Sequence, residues 1–200
     1  NLKPTIAGVG FIGEGEYKSR KGSNKNSAYS RWVDMILRCY DTNHPKYPKY
    51  KEFEVCEDWH NFQNYAEWFY SNHVEDWEID KDLLYPEAKV YSPETCLFVP
   101  KSLNAKFKKN QGLSSRIKEL GDASYTVEVR DLDNNWRSLG LFQTKYEAEW
   151  LADQLNRLEV LQALLKTKQS PKALEKICSA FEERSLLSRY LITPPKPLKS

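Results

Sequence analysis

The sequence predicts an α+β chain, on three observations. Tyr29, Trp32, Val33, Ile36, Leu37 and Tyr40 recur at the spacing that puts them on one face of a helix. Tyr125, Val127 and Val129 alternate with Thr126, Glu128 and Arg130, the period of a half-buried strand. Leu151, Leu155, Leu158, Leu161 and Leu164 form a second, longer helical stripe toward the C-terminus.

With 200 residues the chain has room for one large domain or two small ones. Its composition, 40% hydrophobic and 29% charged, is that of a soluble globular protein, and its apolar runs are too short to cross a bilayer. The start does not resemble a signal peptide, and Cys39, Cys56, Cys96 and Cys178 form no CxxC pair, which points to reduced thiols in a cytoplasm. A zinc site from Cys39, Cys56, His60 and Cys96 would lack zinc-knuckle spacing, so the cysteines are expected as small buried hydrophobes and structural zinc is not expected. The net charge of +2 is nearly balanced, but Lys18, Arg20, Lys21 and Lys25 share one segment. Lys101, Lys106, Lys108, Lys109, Arg116 and Lys118 share another that is free of acids. Such segments neutralise phosphates despite a balanced total, and a solvated lysine face is the plain alternative.

In chain order, Gly8, Gly10, Gly13, Gly15 and Gly22 lack the offsets of a dinucleotide fingerprint and are read as a mobile or β-hairpin arm carrying basic residues. The helix from Tyr29 to Tyr40 takes Ser27 as N-cap, stops at Asp41-Thr42-Asn43, and carries Arg31, Asp34 and Arg38 on its wet side. A loop then leads to a short strand at Phe53 to Cys56. The second helix, capped by Asp58 or Asn61, buries Phe62, Tyr65, Ala66 and Phe69. His60 opens this helix, as a scaffold residue or as a general base or metal ligand, while His44 and His73 are read chiefly as scaffold.

Trp77 to Phe107 reads as strand, turn, strand and helix. Trp77, Ile79 and Lys81 alternate with Glu78, Asp80 and Asp82; a polar break runs from Tyr85 to Lys89, with a turn at Ser92-Pro93-Glu94. Leu97, Phe98 and Val99 form the second strand, and Pro100 starts a helix bearing Leu103, Asn104 and Phe107. Such a unit can point one carboxylate and one amide into a common crevice, a minimal site for a hard divalent cation.

WEIDKDLL…KVYSPETCLFVPKSLN resembles the HNH endonucleases, particularly the phage-encoded homing type. RWVDMILRCYD and VCEDWHNFQNYAEWF resemble segments that accompany the motif, so the likeness covers residues 8–110. It implies a metal-dependent endonuclease acting on double-stranded DNA in a bacterial cytoplasm. Asp80 and Asn104 would be ligands for Mg²⁺, with Mn²⁺ as the other choice, and Pro93-Glu94-Thr95 the turn. Lys81 stands where the family has its water-activating histidine, and Thr95 where the turn has asparagine. A lysine with the ordinary pKa of about 10.4 stays protonated near neutrality. Lys81 then clamps phosphate, or acts as a base if burial depresses its pKa. Otherwise His60 replaces the missing base, or metal-bound water ionises beside Asp82. The remaining alternative is a module that binds DNA without cutting it, as a regulator or inhibitor. On a bland reading Asp80 and Asp82 are carboxylates on a wet face.

Residues 108–111 read as a linker. Beyond it, Tyr125 to Val129 and Trp136 to Phe142 form strands around a turn at Asp133-Asn134-Asn135, and Thr144 with Glu147 makes a capping box for a helix from Lys145. Gly112-Leu113-Ser114, Tyr125, Leu139-Gly140-Leu141-Phe142 and Ala148 resemble AP2 domains, whose three-stranded sheet enters the major groove. The likeness implies that Tyr125, Val127 and Val129 pack on the helix. Arg116, Lys118, Glu128, Arg130 and Arg137 would then face DNA. The leucines from Leu151 continue the helix, Lys166 to Pro171 breaks it, and a second helix runs through Leu174, Ile177, Cys178, Phe181 and Leu186 to a tail at Pro194-Pro195. These helices serve as core, as a dimer interface or as a protein-binding adaptor. The expected organisation is an HNH-like ββα unit with flanking helices (1–110), an AP2-like unit (111–155) and a helical extension with its tail (156–200). DNA contacts are expected from Lys18, Arg20, Lys21, Lys106, Lys108, Lys109, Arg116, Arg130 and Arg137, and no membrane contact is expected.

Overall fold

The computed structural model describes residues 4–21, 24–25, 27–109, 115–130 and 133–190, the side chains of 21, 24–25, 106–109 and 184–190 excepted. The chain mixes helices with mainly antiparallel strands, an α+β fold in two compact units, Asn1–Phe98 and Val99–Ser200.

The first unit opens with a hairpin of β1 (Arg20–Lys21) and β2 (Asn24–Lys25). Helix α1 (Ser27–Tyr40) buries Ala28, Trp32, Met35, Ile36 and Cys39. The buried stripe lies nearer Ala28 and Cys39 than the sequence pattern suggests, with Tyr29, Val33 and Tyr40 packing around its rim. Arg38 is not on the wet side, because remote tyrosines cover it. Within the expected loop, Tyr47–Tyr50 close a single turn, α2, with proline near its start, where the missing N–H costs nothing. Next come β3 (Glu54–Val55) and a 3-10 turn, Glu57–His60. Helix α3 (Phe62–Asn72) is capped by Asn61, whose side chain accepts from Gln63 N. His60 therefore ends the 3-10 turn and does not open the helix. Trp32, Trp59, Phe62, Tyr65 and Phe69 form the centre of the core, and Trp32 Nε1 donates to Trp59 O at 2.6 Å.

Strands β4 (Trp77–Asp80), β5 (Val90–Tyr91) and β6 (Leu97–Pro100) follow. β4 pairs with β6. β5, which lies beside the expected polar break, pairs in parallel with β3, Glu54 opposite Val90 and Val55 opposite Tyr91. Pro100 ends β6, one residue ahead of the helix it was expected to start.

Ahead of β1, the segment around Gly13 is clasped to the start of α3. Phe11 N donates to His60 O and Phe62 N to Phe11 O, both at 2.9 Å. Gln63 Nε2 donates to Ile12 O (3.2 Å) and Tyr17 O (3.0 Å), and its Oε1 accepts from Tyr17 N at 3.0 Å. Gly13 sits at φ +73°, and a Cβ there would overlap the Asn61 side chain that caps α3. Gly13→Ala combines left-handed backbone strain with displacement of the cap, and is expected to cost about 2 kcal/mol. A fall in the urea midpoint at constant m would register this; an unchanged midpoint would refute it.

The second unit comprises α4 (Lys101–Lys109), β7 (Ser115–Leu120), β8 (Ser124–Arg130), β9 (Trp136–Phe142), α5 (Lys145–Leu165) and α6 (Pro171–Tyr190). The three strands form an antiparallel sheet in the order β7-β8-β9, with a bulge between Thr126 and Glu128. Val127 packs with Ala148, Leu151 and Ala152 of α5. The Thr144–Glu147 capping box is present as read from the sequence. Further along α5, Val160, Leu161 and Leu164 are buried, as are Ala173, Ile177 and Ala180 of α6, which packs against it. The expected division after residue 155 falls inside continuous α5. Among the described residues no helix is long and apolar enough to cross a membrane.

Candidate functional site

The first group lies where β4 runs out. Asp80 is buried, and its Oδ1 accepts from the backbone N–H groups of Asp82 (3.0 Å) and Leu83 (2.8 Å), so the carboxylate closes the turn after the strand. Lys81 is only 2% exposed, which ends the alternation expected through Asp82 and takes Asp80 and Lys81 off any wet face. Its ammonium donates to the Asp82 carboxylate and to Ala88 O at 3.0 Å, and lies 4.2 Å from the Phe53 ring centroid and 5.6 Å from that of Tyr91. A buried ammonium needs this combination of opposite charge, carbonyl and ring faces. Lys81 is thus turned into the fold, where it holds residues 81–88 together.

Thr95, in place of the expected turn asparagine, donates from Oγ1 to Val90 O at 2.7 Å and accepts from Ser92 N at 3.1 Å. Ser92 Oγ accepts in return from Glu94 N and Thr95 N. Two hydroxyls do the turn-closing work of one amide.

His60 Nε2 lies 3.0 Å from Val55 O and 3.5 Å from the Tyr40 hydroxyl, which itself accepts from Val55 N at 2.8 Å. In the contact with the Val55 carbonyl, Nε2 is the donor. His60 and Tyr40 together bracket β3. His73 stacks on Phe69 at 4.4 Å, and burial lowers its pKa below the usual histidine value. His44 lies 3.8 Å from the Asp34 carboxylate.

Among the described residues no three His, Cys, Asp or Glu side chains gather into a metal-holding group. Asp80 and Asn104, the expected metal pair, belong to different units; Asn104 is buried on α4. Cys39 and Cys96 are buried thiols, and burial pushes Cys39 up to about 11 against the opposing pull of Arg38.

The second group is the face of the β7-β8-β9 sheet turned away from α5. Arg116 pairs with Glu128, Glu128 with Ser138, and Arg130 with Trp136, all in the row opposite to Val127. The Trp136 ring carries two guanidiniums, Arg116 at 4.0 Å and Arg130 at 4.4 Å from its centroid. Arg116 Nε donates to Glu128 Oε2 at 2.7 Å. Arg130 donates to the backbone and side-chain oxygens of Asn134, both at 2.8 Å. Lys118 shares this row, opposite Thr126, and Leu141, 62% exposed, lies in it beyond the bulge. Arg137 departs from expectation. It pairs with Val129 and so belongs to the α5-side row, because strand alternation puts it out of phase with Arg130 and Trp136.

Trp136 and Asn134 were not singled out from the sequence. Their signal was available, since both lie across a short turn from Arg130. Lys18 and Arg20 are exposed beside the β1–β2 hairpin. The side chains of Lys21, Lys106, Lys108 and Lys109, and all of Gly112-Leu113-Ser114 and Pro194-Pro195, lie outside the described residues. No family model, curated protein or solved structure matches this chain.

Proposed function

We propose that the chain binds double-stranded DNA through the outer face of the β7-β8-β9 sheet, in the manner of AP2-type modules, and that its HNH-like unit has exchanged water activation for structure at Lys81. The observation that supports this reading is the Arg116–Trp136–Arg130 stack. Two guanidiniums lie within 4.4 Å of one indole centroid on an exposed antiparallel face, one bonded to the Glu128 carboxylate and the other to Asn134. Preset forks lose less rotamer entropy when they meet a guanine edge or a phosphate. The groove of B-DNA admits such a sheet. A protein of this kind acts at its site as a regulator or inhibitor.

The test is a titration of a mixed-sequence duplex at several salt concentrations. Arg130→Ala is expected to weaken binding by about 1–3 kcal/mol, roughly 5- to 150-fold, as for an arginine at a base edge. Arg137→Ala, from the other row, changes it far less. Equal binding by wild type and Arg130→Ala sinks the reading.

A second reading, phosphodiester hydrolysis with Mg²⁺ or Mn²⁺, is supported by the Asp80 carboxylate, fixed by two backbone amides at the position of the metal aspartate. The described residues do not by themselves supply a three-ligand set of His, Cys, Asp and Glu. Plasmid nicking that is lost in Asp80→Asn and kept in Lys81→Met favours the nuclease. Intact plasmid with either metal, alongside duplex binding, favours the binding-only protein.

A further inference from the structure

The first unit gathers cations around aromatic rings at a place the sheet does not involve. The Arg38 guanidinium lies 5.1 Å from the Tyr50 ring centroid and 4.8 Å from that of Tyr91. Lys49 Nζ lies 5.9 Å from the Tyr50 centroid, and Lys89 Nζ 4.9 Å from that of Phe53. Behind them the buried Lys81 ammonium shares the Phe53 and Tyr91 rings. The carboxylates ion-paired with these groups are shared or distant. Asp34 is divided between Arg38 at 3.4 Å, Lys46 at 3.6 Å and His44 at 3.8 Å. Glu52 reaches Lys89 only at 3.9 Å with both groups more than half exposed, and Asp82 is committed to Lys81.

Ring faces attract a cation without cancelling its charge, so they position these groups while leaving them able to hold an anion. Lys49 and Lys89 stand on the solvent side as point charges that can meet phosphate oxygens, and the Arg38 guanidinium, covered by Tyr50 and Tyr91, adds its positive charge from behind them. We propose that Lys49 and Lys89, seated on Tyr50 and Phe53 and backed by the covered Arg38 charge, form a phosphate-binding site whose natural ligand is a nucleic-acid backbone. The site belongs to the first unit and the sheet to the second, and it does not depend on base recognition by the sheet.

The full-length chain is titrated with inorganic tripolyphosphate and, separately, with a mixed-sequence duplex across salt concentrations. Lys49→Gln/Lys89→Gln is compared with wild type and with Lys145→Gln/Lys172→Gln, an equal charge loss at two exposed lysines elsewhere. Loss of two phosphate contacts is expected to lower the salt slope of duplex binding by about two units, and the control pair leaves it unchanged. Tripolyphosphate binding falls about tenfold or more in the Lys49/Lys89 variant only, about 1.4 kcal/mol. A change confined to tripolyphosphate identifies a small polyphosphate as the ligand and removes DNA from this site. Wild-type values in both titrations for Lys49→Gln/Lys89→Gln overturn the site. Arg116→Ala/Arg130→Ala, run in parallel, impairs duplex binding but not tripolyphosphate binding, so failure of the sheet reading and failure of this one give different patterns.

Discussion

Lys81→Ala is expected to destabilise the first unit by about 2–4 kcal/mol and to leave duplex binding intact below the unfolding transition. The side chain is 2% exposed, so truncation removes buried methylenes and opens a cavity between Phe53 and Tyr91. It also removes a desolvated cation–ring contact, worth about 2 kcal/mol, and leaves Ala88 O without its donor. Relief of the cost of burying an ammonium offsets part of this loss. Lys81→Met keeps most of the volume and isolates the charge-dependent share, so its loss should be less than half that of Lys81→Ala. Urea unfolding followed by tryptophan fluorescence reads both variants. The contrary pattern, normal stability with abolished nicking or binding, would make Lys81 a ligand contact and contradict the structural role.

Trp32→Ala carries the largest expected loss, about 3–5 kcal/mol, as for deletion of a buried aromatic. Trp32 is fully buried, contacts Tyr29 and Phe62 at centroid distances of 5.7 and 5.5 Å, and donates Nε1 to Trp59 O. Gly10 lies against the same ring, close enough that an added Cβ would sit 3.1 Å from it. Domain stabilities are about 5–15 kcal/mol, so the variant leaves little of the first unit's margin. Loss of near-UV circular dichroism and a collapse of the urea midpoint are the expected readouts. Trp32→Phe should cost roughly 1–3 kcal/mol, because a buried carbonyl loses its donor while a ring remains. A Trp32→Ala protein with wild-type midpoint would show that this core repacks around the void.

Features set by neighbouring residues were legible. The Thr144–Glu147 capping box, the span of β9 and the break before Pro171 all depend on chemistry within a few residues. The apolar face of α3 was legible for the same reason, through its 3.6-residue period. Features set by distant partners were not. Val90–Tyr91 is too short to announce a strand, and it exists because Glu54–Val55 offers a parallel edge. Arg38 follows the wet-side spacing of α1, yet Tyr50 and Tyr91 enclose it. Lys81 looked like an altered catalytic position, and only the arrival of Phe53 and Ala88 makes it a buried tie. The contact of His60 with Val55 O likewise depends on how the chain folds back and was not readable from a single histidine. The outer sheet row was half legible: the likeness to AP2 domains singled out Arg116 and Arg130, whereas the indole that joins them depends on cross-strand register.

Helix α5 is a single rod of about 30 Å at 1.5 Å per residue. Its first turns carry the underside of the sheet and its last turns carry α6. Asn156, past the midpoint, takes the Ser115 hydroxyl of β7. A fragment trimmed after residue 155 would lose that anchor and the Arg157 end of the Asp153–Arg157 pair. The sheet and the helical hairpin are thus one mechanical part. Load applied to α6 by any partner would be delivered along the rod to the strands that carry Arg116, Arg130 and Trp136.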